Sequence, residues 1–194
     1  MDKTVKARWE WRSFSVASLD LVISKLKRIP LGNHKESRDL YVVAPRGDVN
    51  VKIRDDGVLD VKVMQDSRPG GAELWQPAYR CCAPFDAPRI ARIASFWGVL
   101  PPRLECARYS AQDFVHKLIP QWHGMTCADV VKVREIYALE DVIMEVGTVS
   151  VRGAQYRTFC VESEHFDSVC RVVRGFGLES DAPANYIQFL QSIL

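Results

Sequence analysis

Apolar residues fall at every second position in several short stretches of this chain and at helical spacing in others. In "VNVKIRDDGVLDVKVMQ", Val49 to Gln65, the positions Val51, Ile53, Leu59, Val61 and Val63 are apolar, while Asn50, Lys52, Arg54, Asp60 and Lys62 are polar. Such alternation predicts two strands, each with a dry face and a wet face. A two-residue loop at Asp56-Gly57 would set Arg54 opposite Leu59 and mix those faces. A loop of Asp55-Asp56-Gly57 instead pairs Ile53 with Leu59, Val51 with Val61, Lys52 with Asp60 and Asn50 with Lys62. It also puts Gly57 at the left-handed position that closes such hairpins. Because a one-residue slip turns every side chain to the other face, this longer loop is the expected register.

The same reading extends along the chain. Ala7 to Phe14 alternates as a strand, and a helix with Val16, Leu19, Ile23 and Leu26 on one stripe follows, stopped by Pro30. "SRDLYVVA" is a further strand, "SRPGGAE" a loop, and "LWQPAYRCCAPF" a strand whose Pro77 marks an edge or a bulge. "DAPRIARIASFWGV" reads as a helix capped by Asp86, striped by Ile90, Ile93, Ala94 and Trp97, and ended by Gly98. Ser110 and Asp113 form a capping-box-like start to a short helix. "ADVVKVREIYAL", "DVIMEVGTVSV" and "YRTFCVESE" are strands, "HFDSVCRVVRGFG" is a helix ending in Gly, and "NYIQFLQSIL" is a closing helix carrying Tyr186, Phe189, Leu190 and Ile193. About eight strands with helices between runs of them predict an α+β domain around a large antiparallel sheet or barrel. No low-complexity tract or long linker interrupts the pattern, so residues 1–194 read as a single domain.

Composition narrows the function classes more than the fold. The 194 residues are enough to bury a core, and 47% hydrophobic with 26% charged residues is the balance of a soluble globular protein. A net charge of +2 sets up no overall field for nucleic acid or membrane, so any basic site has to be local. "MDKTVKARWEWRSF" has no apolar signal segment, and no stretch approaches the roughly 20 apolar residues of a membrane helix. The six cysteines show neither C-x-x-C nor zinc spacing, which suits reduced thiols in the cytoplasm. P-loop, dinucleotide-binding, nucleophile-elbow and H-E-x-x-H motifs are absent, and His34, His116, His123 and His165 are scattered.

What recurs is an ionic residue at alternate positions of a strand: Lys52-x-Arg54 with Lys62 beside it, Lys132-x-Arg134, and Arg8-x-Glu10-x-Arg12. One such strand is an ordinary solvated face. Three of them, with Trp9 and Trp11 demanding cover on the other side, point to charged faces turned into a closed barrel. Cations in a confined space of low dielectric repel one another unless carboxylates or an anion compensate them. Glu10, Asp60, Glu145, Glu162 and Glu164 supply part of that compensation, and a polyanion suits the rest, because Lys and Arg from several strands match an extended phosphate chain.

In the order and spacing of these pieces the chain resembles the CYTH, or triphosphate tunnel metalloenzyme, superfamily, which includes class IV adenylate cyclases, thiamine triphosphatases and inorganic triphosphatases. The resemblance runs from about Arg8 to the C-terminus. "RWEWRSF" stands where the family has a Glu-x-Glu-x-Lys strand, and "VKIRDDGVLDVK" matches the paired strands that follow. "YRCCAPF" with Arg80, "RIARIASFWGV", "VVKVREIY", "IMEV" with Glu145, "CVESE" and "NYIQFL" continue it in order. Two pieces depart from the pattern: Arg8 and Arg12 replace the first Glu and the Lys of the opening motif. The later Glu-x-Glu is matched either by Cys160-x-Glu162 or by Glu162-x-Glu164.

The resemblance implies an eight-stranded antiparallel β-barrel with helices packed outside and a triphosphate tunnel within. It implies that Arg54, Lys62, Arg80, Lys132 and Arg134 bind phosphate, with Lys52 and Arg12 as weaker members. Glu10, Glu145 and Glu162, with Glu164 as the alternative, are implied to hold Mg²⁺ or Mn²⁺. The implied activity is metal-dependent hydrolysis or cyclisation of a nucleoside, thiamine or inorganic triphosphate; the alternatives are a weakened polyphosphate- or nucleotide-binding module and a plain α+β sheet. The implied partner is a small-molecule triphosphate, with no nucleic-acid polymer, no membrane, room for a homodimer, and a cytoplasmic location. Arg8, on the same strand face as Glu10, is expected to weaken one metal site and favour anion binding.

Overall fold

The computed structural model describes residues 6–14, 19–54 and 57–194. In chain order the strands are β1 (Arg8–Ser13), β2 (Leu31–Val43), β3 (Val49–Arg54), β4 (Val58–Ser67), β5 (Glu73–Cys82), β6 (Phe85–Asp86), β7 (Arg108–Tyr109), β8 (Thr126–Leu139), β9 (Val142–Val151) and β10 (Ala154–Ser163). The helices are α1 (Leu19–Leu26), α2 (Ala87–Trp97), α3 (Ala111–Asp113), α4 (Phe166–Phe176) and α5 (Tyr186–Ile193). Eight strands close into a barrel in the order β1-β10-β9-β8-β2-β3-β4-β5, and β6 and β7 form a separate two-stranded ribbon. No helix among the described residues is long and apolar enough to cross a membrane.

The β3–β4 hairpin has the register that its alternation predicts: Ile53 faces Leu59, Val51 faces Val61, Lys52 faces Asp60 and Asn50 faces Lys62. Gly57 adopts φ +73°, and its N–H donates to the Arg54 carbonyl at 2.8 Å, so a residue free of Cβ strain closes the turn. Asp55 and Asp56 lie outside the described residues, as does Val16 of the predicted α1 stripe. Strand β2 begins at Leu31, six residues before the alternation at "SRDLYVVA" shows it. Its exposed first half, "LGNHKE", is held by backbone pairing with no buried side to leave a pattern: a Cβ on Gly32 would stand 3.2 Å from the Ile136 carbonyl of β8. Pro77 sits within β5 past the ladder with β1, which covers Glu73, Leu74 and Trp75, so its missing N–H leaves that ladder intact.

The chain divides into two compact units, Met1–Ser37, Met64–Gln76 and Val131–Asn185 in the first, and Arg38–Val63, Pro77–Val130 and Tyr186–Leu194 in the second. Each has its own core. In the first unit Trp9 and Trp11 of β1 pack with Leu19, Val22 and Leu26 of α1, with Met144, Phe159 and Val161 of the sheet, and with Val169 and Val173 of α4. Trp9 meets Phe166 edge-on at 5.0 Å, and the Trp11 indole donates to the Gly70 carbonyl at 3.0 Å. In the second unit Val51, Ile53 and Val61 pack against Ile90, Ile93, Ala94 and Trp97 of α2, together with Phe114 and Trp122. The apolar positions of the hairpin therefore face a helix, and the ionic positions face the other way.

Helix α3 starts with the capping box read from Ser110 and Asp113: the Ser110 hydroxyl accepts from the Asp113 N–H, and Asp113 accepts from the Ser110 N–H. The helix continues through a π-helical turn, Phe114–Leu118, and a 3₁₀ turn, Ile119–Gln121. Bonds from Lys117 and Ser110 hold the Asp113 carboxyl at about 2. An acid depressed in the folded state stabilises above its unfolded value of about 3.9 and loses that contribution as pH falls through the folded one. The Asp113 carboxyl carbon shift is expected to titrate near pH 2; a midpoint near 4 would show that the cap does not form.

Candidate functional site

In the first unit four strands, β5, β1, β10 and β9, place ionic side chains on one face. Arg12 lies opposite Cys160, and Cys160 opposite Glu145, while Glu10 lies opposite both Glu162 and Glu73. Laterally paired residues share a sheet face, so Glu10, Arg12, Glu73, Glu145, Cys160 and Glu162 all turn the same way, opposite Trp9 and Trp11. Arg12 is 5% exposed, with Nε 2.8 Å from Glu10 Oε1, Nη2 3.9 Å from Glu145 Oε2 and Nη1 3.5 Å from the Thr158 hydroxyl. On β8, Arg134 Nη1 approaches the same Glu145 oxygen at 3.1 Å, and Nη2 donates to the Ser37 hydroxyl at 3.0 Å. Arg134 Nε is buried without a hydrogen-bond partner. Lys132, two residues earlier on β8, is fully buried.

Cys160 is 0% exposed, and burial pushes its thiol well above the ordinary range. The Arg12 charge opposes that shift, while Glu10, Glu162 and Glu145 add to it. The group is therefore a neutral thiol, the reverse of the electropositive setting that activates a nucleophilic cysteine. Glu164 is not in this cluster. It is half-exposed, ion-paired with Lys6 at 2.8 Å, and its carboxyl is lowered mainly by that bond, with smaller help from Arg8 and His165. The stretch that faces Glu10 and Arg12 is Cys160-x-Glu162, and the guanidinium 2.8 Å from Glu10 belongs to Arg12.

Donor atoms of Glu10, Cys160 and Glu162 lie within 4.8 Å of one another. Mg²⁺ takes oxygen ligands and is commonly held by one or two carboxylates plus substrate phosphates, so Glu10 and Glu162 fit such an ion and Cys160 adds nothing to it. Glu145 is directed to Arg134 and Arg12. Glu73 accepts from the Asn185 amide, 3.1 Å from both oxygens, and from the Trp75 indole at 3.0 Å.

The second unit carries the other cations. Lys52 Nζ is 3.1 Å from Asp39 and 5.8 Å from the centre of the Tyr41 ring. Burial lowers the Lys52 pKa; Asp39 opposes this, while Arg54 and Lys62 lower it further. Arg54 pairs through Nε with Asp60, and Arg80 Nε stands 3.5 Å from the other Asp60 oxygen. Arg80 is largely exposed. Lys52 and Arg54 are thus each paired with a carboxylate, Arg80 approaches the second of these, and Lys62 lies close enough to act on Lys52.

Asp39, Glu73, Ser37, Thr158 and Asn185 escape a reading of the sequence. Asp39 and Ser37 lie in the alternating stretch "SRDLYVVA", but only the pairing of β2 with its neighbours brings them to Lys52 and Arg134, and Asn185 lies in a loop before α5. Glu73 borders a Gly-rich loop, and only the β1–β5 register, Glu10 opposite Glu73, brings it to the site.

No protein-family model matches the chain, and no curated protein matches its sequence. Its fold is nonetheless shared with solved structures over almost the whole chain. A candidate adenylate cyclase from Bacillus halodurans is 18% identical, with a TM-score of 0.51 over 93% of this chain and 95% of that one. A candidate adenylyl cyclase from Hippeastrum, described as having a dominant triphosphatase activity, is 13% identical, with a TM-score of 0.52 over 97% and 96%. A conserved hypothetical protein from Pyrococcus furiosus is 17% identical, with a TM-score of 0.51 over 93% and 98%. The shared fold is a closed eight-stranded antiparallel barrel with helices packed on it, the architecture expected from the sequence.

Proposed function

We propose that the chain binds the triphosphate group of a small molecule on its cationic strand faces and carries out divalent-metal-dependent phosphoryl or nucleotidyl transfer, as a triphosphatase or an adenylate cyclase of class IV type. The observation that carries this reading is the cluster of cations at alternating strand positions: Lys52 pairs with Asp39, Arg54 and Arg80 both reach Asp60, and Lys62 is near enough to lower the Lys52 pKa. Planar guanidinium groups at Arg54 and Arg80 suit paired phosphate oxygens, and Lys52 acts as a compact point charge. Arg134 adds a buried Nε donor with no protein partner. Lys132 and Arg12 complete the cationic set of the first unit. Glu10 and Glu162 are the carboxylates for Mg²⁺ or Mn²⁺, which when bound neutralises phosphate charge and polarises the phosphorus. Six free cysteines accord with action in the reducing cytoplasm.

A second reading, a binding module with little turnover, is favoured by the guanidinium contacts on Glu10 and Glu145. Each carboxylate already faces a cation that a metal ion would have to displace. One experiment separates these readings and tests both. Millimolar tripolyphosphate is expected to raise the melting temperature by binding the native state, and Arg54→Ala or Arg134→Ala to remove most of the gain. Release of phosphate or pyrophosphate from a panel of triphosphates with Mg²⁺ or Mn²⁺ identifies an enzyme, and binding without release identifies the module. An unchanged melting temperature in the wild type overturns both.

A further inference from the structure

Between α2 and β7 the second unit carries "VLPPRLECA", Val99 to Ala107, with neither helix nor strand through residues 99–105. Leu100 is 85% exposed, against 53% for Leu31, the next most exposed large apolar side chain described. Single exposed leucines are ordinary on a surface. This one sits on a segment that the fold holds still. The Trp122 indole donates to the Leu100 carbonyl at 2.8 Å. The Gln121 carboxamide accepts from the Arg103 N–H at 2.9 Å and donates to the Arg103 carbonyl at 3.3 Å. The Tyr109 hydroxyl accepts from the N–H groups of Glu105 and Cys106 at 2.6 and 2.9 Å. Tyr109 and Trp122 belong to the core of this unit, and Val99 and Leu104 pack against it.

The prolines decide what such a segment can present. Proline fixes its own φ, and it pushes the residue before it into the extended region, so Leu100, Pro101 and Pro102 favour the polyproline II helix. With three residues per turn, Leu100 and Arg103 share one edge of that helix. Both are exposed, while Pro102 between them is half-buried. Gln121 binds Arg103 through backbone groups alone, so this clamp leaves the guanidinium available. The outward edge is therefore a leucine, a proline and a cation in a fixed order.

We infer that Leu100–Arg103 is a docking segment for a protein partner whose groove is lined by aromatic side chains and rimmed by a carboxylate, the chemistry of SH3- and WW-type proline-recognising domains. Leu100 and Pro101 fill slots between aromatic rings, and Arg103 meets the acidic rim. The clamp from Gln121, Trp122 and Tyr109 holds the segment in place beforehand, so docking costs little conformational freedom. The inference is independent of the triphosphate reading.

Titration of the full chain into a panel of isotopically labelled SH3 and WW domains, followed by NMR, tests it in the wild type, Leu100→Ser, Arg103→Glu and Gln121→Ala. At least one domain is expected to bind saturably, with shifts confined to its aromatic groove. Leu100→Ser and Arg103→Glu should each weaken that binding by about tenfold, the scale of one lost charge-assisted or buried apolar contact. Gln121→Ala should weaken it too, although it leaves the docking side chains in place. An unchanged melting temperature in Leu100→Ser and Arg103→Glu separates these losses from misfolding. Absence of saturable binding across the panel, or binding that survives both substitutions, overturns the inference. A concentration-dependent dimer in ultracentrifugation that Leu100→Ser abolishes overturns it as well, because Leu100 then serves a second copy of this chain.

Discussion

Gly147→Ala is expected to destabilise the protein by about 3 kcal/mol or more, the upper part of the range for forcing extra volume into a packed site. A Cβ at this position would stand 2.0 Å from the Val133 carbonyl oxygen and 2.9 Å from the Arg134 Cα. Both obstacles are backbone, so no side chain can swing aside, and β8 and β9 would have to part. Arg134 and Glu145 sit on those same strands, so the substitution would also stretch their 3.1 Å ion pair. Gly175→Ala is the matched control: nothing lies within 4 Å, and the position is exposed on α4, where alanine is favoured over glycine by about 1 kcal/mol. Urea unfolding measures both. If the Gly147 variant lies within about 0.5 kcal/mol of the wild type, β8 and β9 do not approach as described.

Asp39→Ala should have an effect of similar size for an electrostatic reason. Asp39 is 2% exposed, and the Lys52 ammonium lies 3.1 Å from it. Removing one partner of a buried pair leaves the other charge uncompensated, which costs about 3–5 kcal/mol. The sign with pH follows from linkage. Burial already depresses the Lys52 pKa, and losing Asp39 depresses it further, so the unfolded chain binds the extra proton. The variant should therefore recover stability as pH rises toward about 10, and Asp39→Ala combined with Lys52→Met should recover most of it at neutral pH. A loss that is the same at pH 7 and pH 9.5, with no rescue by the double substitution, would place the cost elsewhere.

Much of this architecture was legible because burial imposes a period. Ile53 opposite Leu59, the α2 stripe from Ile90 to Trp97 and the Ser110–Asp113 box each follow from a local physical requirement written into a few adjacent residues. The first half of β2 left no trace because both its faces are exposed. The cationic residues of the site were likewise visible as alternating charges. Their partners were not, because which carboxylate meets which cation depends on the register between distant strands. Arg134 on Glu145 comes from the β8–β9 pairing and Arg12 beside Glu145 from the β1–β10–β9 pairing, and no spacing in the sequence encodes either. The choice between Cys160-x-Glu162 and Glu162-x-Glu164 was open for the same reason; on β10, Glu162 faces Glu10, and Glu164 lies past the end of the strand with Lys6.

The burial of Cys160 makes it a clock. Cys82 and Cys106 are exposed and free to react with an alkylating reagent at once, while the buried Cys160 sulfur is reached only when the β1, β9 and β10 side chains around it, or the ladders that carry them, open. Its modification rate, followed peptide by peptide in a mass spectrometer, counts those openings directly on the timescale of minutes to hours. A ligand that bridges Arg12 and Arg134 would hold the same ladders shut. The native sequence therefore already contains a built-in reporter of site occupancy that needs neither a dye nor a catalytic product.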